Sequence, residues 1–259
     1  MDTRSSDNWQ KKPGGWDSLN LNLLQSEEDY PEVFCSPVDG KLLQNIVNIN
    51  DRKKHYKDSL LCSFIDDYHL ERFWNQPERY GHKWVDMNIG AVMTPDFSLY
   101  IGMPLPMMQW NTYRSRMLGN LWMAMGLKVI PTVTWADQRS FDFCFQGIKK
   151  GSAVAVSNIG IRSSQETLYF DAGYYKMIEK IQPSQILFMS QEKTRNLYSD
   201  SKVVFIDSFF TKRRKSWEAE EKTKTREPHS LDNPQGRNKP LNRLPHQQHR
   251  LNNLNKVDR

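Results

Sequence analysis

Apolar residues come in strong runs between Leu60 and Phe210 and thin out on either side. Inside that window, short apolar runs alternate with stretches of helical spacing. Residues 60–65 (LLCSFI) read as a strand ending at Asp66-Asp67, and residues 69–74 as a helix stopped near Pro77. Residues 89–94 give a second strand, ending at Pro95-Asp96. Residues 104–125 give the clearest helix. There Met107, Trp110, Arg114, Leu118, Leu121 and Met125 recur at helical spacing, Pro104 suits the first turn and Gly126 the position after the last. Residues 128–135 (KVIPTVTW) form a third strand. Pro131 inside it removes a ladder donor and marks an edge or a bulge. Residues 140–146 read as a short helix and residues 152–157 (SAVAVS) as a central strand. Ser163 and Glu166 make a capping box. The helix behind it carries Leu168, Ala172, Tyr175, Ile178 and Ile181 and stops before Pro183. Residues 186–189 and 203–206 add two strands.

Alternation of this kind predicts an α/β fold. Its sheet is mainly parallel and five- or six-stranded, an open sheet or a partial barrel, with crossover helices. The expected organisation has three parts. Residues 1–58 form a polar, partly disordered extension in which Leu42, Leu43, Ile46 and Val47 fit one face of a short helix. Residues 59–210 form the α/β domain. Residues 211–259 form a disordered basic tail, where Pro228, Pro234, Pro240 and Pro245 break any helix.

Charge sharpens this division. The chain carries +6 overall, yet residues 211–259 hold 13 Lys/Arg against six Asp/Glu, so the rest is close to neutral. The tail is therefore the candidate for loose nucleic-acid contact, and bulk charge gives the body no such role. Cys35, Cys62 and Cys144 are odd in number and lack any CxxC spacing, which argues against a disulfide framework or a zinc site and for reduced thiols. No apolar leader segment and no membrane-length apolar run occur, so a cytoplasmic location and no membrane partner are expected. Protein partners, metals and cofactors are not assignable from the sequence.

Nucleotide-loop, zincin and nucleophile-elbow motifs do not occur. The Gly147–Gly151 stretch precedes a strand and reads as an ordinary turn. Parallel α/β folds bind ligands beyond the carboxyl ends of their strands. The polar residues expected there are Asp66 and Asp67, Thr94 and Asp96, Thr134, Trp135 and Asp137, Ser157 and Asn158, Ser190 and Gln191, and Asp207. Carboxylates from separate strands can hold a divalent metal or divide acid and base roles. Asp66, Asp96 and Asp142 are the catalytic candidates on that ground, although capping is the commoner role for a strand-end Asp. Trp135, Arg114 and Asn158 are the ligand-binding candidates. Arg114 shares the apolar face of the long helix, so it requires a partner, expected to be an Asp near the second or third strand. Cys144 lies among Phe141, Phe143 and Phe145 and reads as core. Two functions remain open: a metal-assisted or acid–base enzyme acting on a small or phosphate-bearing ligand, and a non-catalytic binding module whose tail contacts nucleic acid or a host partner.

Several strings carry a family resemblance: Pro95-Asp96-Phe97-Ser98, Gln109-Trp110-Asn111-Thr112-Tyr113-Arg114, Ile130-Pro131-Thr132-Val133, Ser140-Phe141-Asp142-Phe143-Cys144-Phe145 and Gly151-Ser152-Ala153-Val154-Ala155-Val156-Ser157. Over roughly residues 60 to 207 the chain resembles domain-of-unknown-function family 4417, found in phages, plasmids and other mobile elements of Gram-positive bacteria. The resemblance implies a mobile-element protein in a bacterial cytoplasm and assigns no catalytic residue.

Deleting residues 211–259 is expected to leave cooperative unfolding intact, because the apolar runs and helix caps lie before them. Polyanion binding carried by the tail should weaken steeply with salt and vanish on the same deletion. Loss of the unfolding transition would move the domain boundary, and salt-insensitive binding surviving the deletion would place the contact on the body.

Overall fold

The computed structural model describes residues 29–51 and 56–208. The expectations for residues 1–28 and for the tail lie outside the described residues. The elements run α1 (Gly40–Gln44), β1 (Ile46–Asn48), β2 (Leu60–Cys62), α2 (Asp67–Asn75), α3 (Pro77–Asp86), β3 (Ala91–Met93), α4 (Leu105–Ala124) and β4 (Val129–Ile130). A 3-10 helix (Gln138–Asp142), β5 (Ala153–Ser157), α5 (Ser164–Ile181), β6 (Gln185–Met189), a second 3-10 helix (Glu192–Tyr198) and β7 (Val203–Ile206) follow.

Every ladder is parallel. The strands form one sheet in the order β1-β2-β3-β4 and another in the order β5-β6-β7. The single bridge Thr132↔Ala155 joins them. The architecture is thus the expected parallel α/β one, with seven strands among the described residues rather than five or six. No pairing joins β7 to β1, so the barrel is not closed.

Pro131 explains the division. At the junction Ala155 N–H donates to Pro131 O and Val133 N–H to Ala155 O, both at 2.9 Å. In that register the next donor would be the backbone nitrogen of residue 131, aimed at the Ala153 carbonyl. Proline has no N–H, so the ladder stops. Ser152 Oγ donates to the Ala153 carbonyl instead, at 2.8 Å.

Side chains alternate across the strands with period two. Leu60, Cys62, Ala91, Met93, Ile130, Ala153, Ala155, Leu187, Met189 and Ile206 join in one cluster, so both sheets share one apolar face. On the other face Leu61, Val92 and Val129 pack with α2, α3 and α4, while Val154, Val156, Ile186 and Phe188 pack with α5.

Three local expectations need correction. Residues 46 and 47 lie on a strand, paired with Leu60 and Leu61, not on a helix. Both are β-branched, and the apolar stretch was too short for periodicity to tell the two states apart. Residues 33–38 also run along the amino ends of β5 and β6: Ala153 N–H donates to Cys35 O at 2.7 Å, and Val38 N–H to Gln185 Oε1 at 2.9 Å. The packed unit therefore uses residues that precede position 59. Second, Pro77 opens α3 from its first turn as well as ending α2.

Third, the buried faces of the long helices match the expected ones only in part: Arg114, Leu118 and Leu121 of α4 and Ile181 of α5 are buried as expected. In α5 the buried residues are Phe170, Gly173, Tyr174, Met177 and Ile181. Leu168 and Tyr175 are two-thirds exposed. In α4, Met108 is buried, whereas Met107 and Trp110 are exposed. In α5 spacing alone does not choose between two apolar stripes, whereas residues 114–122 of α4 are buried all round. The closeness of α4 shows at Gly119, where a Cβ would lie 2.6 Å from Thr94 Cγ2 and 2.8 Å from Val33 Cγ2.

Gly119→Leu should therefore force α4 off the sheet and lower stability by about 1–3 kcal/mol, read as an earlier midpoint in urea. An unchanged midpoint would mean that α4 can lift from β3 without loss.

Candidate functional site

Beyond the last ladder bonds of β3 and β4, hydroxyls replace backbone groups as partners. Thr132 N–H donates to Thr94 Oγ1 at 2.8 Å rather than continuing the ladder. The Thr94 and Thr132 hydroxyls are 2.8 Å apart, and Ser115 Oγ of α4 donates to Thr94 Oγ1 at 3.1 Å. Ser63 Oγ, just past β2, takes the Thr94 carbonyl. A satisfied polar cluster thus underlies the carboxyl edge.

Arg116 of α4 enters this region almost fully buried. Its guanidinium donates to three carbonyls: Thr132 O at 3.0 Å, Cys144 O at 2.8 Å and Gln146 O at 3.0 Å. Burial lowers its pKa to about 10, which leaves it cationic at neutral pH. It ties the loop carrying Cys144 to α4. The Cys144 thiol is buried and held well above its usual range, chiefly by desolvation, so it packs as core.

Asp96 sits at the rim of the same edge. Thr134 Oγ1 donates to its Oδ1. Although Asp96 retains some exposure as a residue, the atoms packed around its carboxyl desolvate it and push its pKa up to about 6. The Thr134 hydrogen bond and the Arg116 charge oppose that rise, and the Asp67 charge adds to it. Asp96, Val133, Thr134, Trp135, Ser157 and Phe170 line a small, partly open cavity of about 50 Å³. That space admits a water or one small polar group.

Trp135 is 8% exposed. A Cβ on Gly173 would stand 2.2 Å from its Nε1, so the glycine lets the indole lie against α5. That Nε1 is buried and has no hydrogen-bond partner in the structure, an uncommon state for an indole N–H. Phe170 stands 5.0 Å from the indole, centroid to centroid.

The structure brings Asp96 and Trp135 together and leaves the other candidates outside this cavity. Asp66 is an exposed N-cap residue of α2 with no side-chain capping bond. Asp142 is exposed at the end of the first 3-10 helix. Among the described residues no group of three or more His, Cys, Asp or Glu side chains could hold a metal. Asn158 is buried and donates to Thr194 Oγ1 at 2.9 Å, while its Oδ1 accepts from Gln191 N–H at 3.0 Å. It therefore fastens the loop after β6. Arg114 is partnered, but by Glu71 of α2 rather than by a strand-end Asp: Nη1 reaches both carboxylate oxygens at 2.9 and 3.0 Å. Its guanidinium also lies 3.8 Å from the Phe97 ring centroid, so it binds α4 to α2. Thr134 and Ser157, expected at the strand ends, also line the cavity, as does Phe170, which was not singled out. For Thr134 and Ser157 the signal was their place at strand ends. Phe170 gave none.

The family model described as "Domain of unknown function (DUF4417)" matches residues 35–208. The chain is 39% identical over 194 residues to the "Gene 1 protein" of Mycobacterium phage L5, covering 73% of this chain and 84% of that protein. It is 38% identical over 190 residues to the "Gene 1 protein" of Mycobacterium phage D29, covering 71% and 70%. No solved structure matches. Among the described residues no helix is long and apolar enough to cross a membrane. With its model spanning the sheets, α4 and the edge that carries Asp96, the chain belongs to the DUF4417 family.

Proposed function

We propose that the carboxyl edge is a small acid–base site that receives a neutral hydrogen-bonding group, with Asp96 as the proton-exchanging residue. The supporting observation is a carboxyl poised at about pH 6 on the wall of a small, partly open cavity at the carboxyl edge of a parallel sheet, where such folds bind ligands. Below that pH Asp96 donates a proton, and above it Asp96 accepts one. Thr134 orients the carboxyl through its hydroxyl. Ser157 offers a second polar contact, and Trp135 with Phe170 forms the apolar wall. No Lys or Arg lines the cavity, and the Arg116 guanidinium is engaged by carbonyls. An ionised Asp96 would repel a phosphate, so an amide or a hydroxyl suits the site better than a phosphoryl group.

Two measurements test this reading. The first is linkage. The native Asp96 pKa of about 6 lies above the unfolded value of about 3.9. The native state therefore binds the proton more tightly, and its contribution to stability is complete below about pH 4 and lost as pH rises through about 6. Relative to Asp96→Asn, the wild type should lose on the order of 2 kcal/mol of stability between pH 4 and pH 7. A difference that does not vary with pH would remove the poised carboxyl.

The second measurement is ligand response. Small amides and alcohols at millimolar concentration should shift the Trp135 indole resonance and raise the melting temperature. The effect should follow pH through about 6 and disappear in Asp96→Asn. No response from neutral probes, or stabilisation by divalent metals or phosphate alone, would sink the proposal.

A further inference from the structure

A roomier hollow, about 370 Å³, lies elsewhere, between α5 and the second 3-10 helix near the amino ends of β6 and β7. Its origin is topological. The crossover from β6 to β7 uses a seven-residue 3-10 helix, whereas α4 and α5 run for 20 and 18 residues. So short a crossover leaves a hollow beside α5, floored by Ile186 of β6. Its volume falls within the range of small-molecule sites.

Three tyrosines contribute to the lining: Tyr174 and Tyr198, almost fully buried, and Tyr175, exposed. The Tyr174 ring centroid is 5.0 Å from that of Tyr198 at 61°, and 6.0 Å from that of Tyr175 at 79°. The rings meet as corners, not as a closed stack. Tyr198 is held by donation of its hydroxyl to Asp171 Oδ1 at 2.5 Å. Burial and the Asp200 charge push the Tyr174 phenol up to about 12, so it remains a neutral donor. Tyr175 and Leu197 are about two-thirds exposed at the opening. The polar end holds Gln182, Asp200 and Lys202. Asp200 Oδ1 accepts from Lys202 N–H at 2.8 Å, which fixes the carboxylate's direction.

We infer that this cavity binds a small, uncharged, planar aromatic molecule with a hydrogen-bonding edge, the chemistry of a nucleoside. The exposed Tyr175 ring, beside the apolar Ile178 and Leu197, suits a flat ring. Gln182 presents both a donor and an acceptor to the ring edge, and Asp200 presents an acceptor. Asp200 and Lys202 cancel in charge, which favours neither an anion nor a cation. A nucleotide phosphate would meet Asp200 at the end where Lys202 could receive it. The site is independent of the acid–base reading, since it shares no lining residue with the Asp96 cavity.

The experiment is calorimetric titration of the full chain with adenosine, guanosine, cytidine and thymidine, with N-acetyltryptophanamide as a separate arm. At least one nucleoside should bind with a dissociation constant of roughly a millimolar or tighter. Tyr175→Ala and Leu197→Ala should each weaken binding about tenfold with little change in melting temperature, because both side chains are exposed, and Asp96→Asn should leave it unchanged. Absence of binding by all four nucleosides would overturn the proposal, as would binding insensitive to Tyr175→Ala. Binding of the tryptophan amide alone would assign the hollow to an aromatic peptide side chain and overturn it too. So would a dimer broken by Tyr175→Ala, which would show that a second copy covers this face.

Discussion

The missing N–H of Pro131 shapes more of this molecule than any other single feature. It ends the hydrogen-bond ladder between β4 and β5, so seven parallel strands fall into a sheet of four and a sheet of three. On the other side of the same strand, Thr94 turns its hydroxyl toward Thr132 N–H. The strands part where they would otherwise stay zipped, and the backbone beyond them is free to carry Asp96 and Thr134 to one cavity. A ladder continued through these positions would hold both side chains in strand geometry.

Arg116 stabilises the opening so made. A buried cation without partners is strongly unfavourable, and one surrounded by carbonyls is tolerated. Three carbonyls from two loops converge on its guanidinium. Nearby, desolvation drives the Asp96 pKa up, the Thr134 hydrogen bond is the chief force drawing it back, and the Arg116 charge adds a smaller pull in the same direction. The near-neutral value is thus a balance set mainly between desolvation and the Thr134 hydroxyl.

Aromatic packing along α5 links the two cavities. Trp135 meets Phe170 at 5.0 Å, Phe170 lies 6.4 Å from Tyr174, and Tyr174 lies 5.0 Å from Tyr198. The run passes from the Asp96 cavity to the hollow beside the short crossover. Gly173 makes it possible, since any side chain there would occupy the position of the indole.

The sequence by itself determined the parallel α/β class, the positions of most strands, the Ser163–Glu166 cap and the break at Pro131. These follow from local properties: alternation of apolar runs, a side-chain oxygen three residues before a carboxylate, and a residue lacking N–H. The structure decided whatever depends on which faces meet. α5 offered two apolar stripes, and packing chose the one that brings Gly173 against Trp135. Among three strand-end and loop carboxylates, Asp66, Asp96 and Asp142 were equivalent by residue type. Only Asp96 lines the cavity, because its loop leaves β3 beside the strand that carries Thr134. The partner of Arg114 was similarly undetermined, since a buried guanidinium requires a carboxylate or carbonyl partner but sequence spacing does not say which element supplies it.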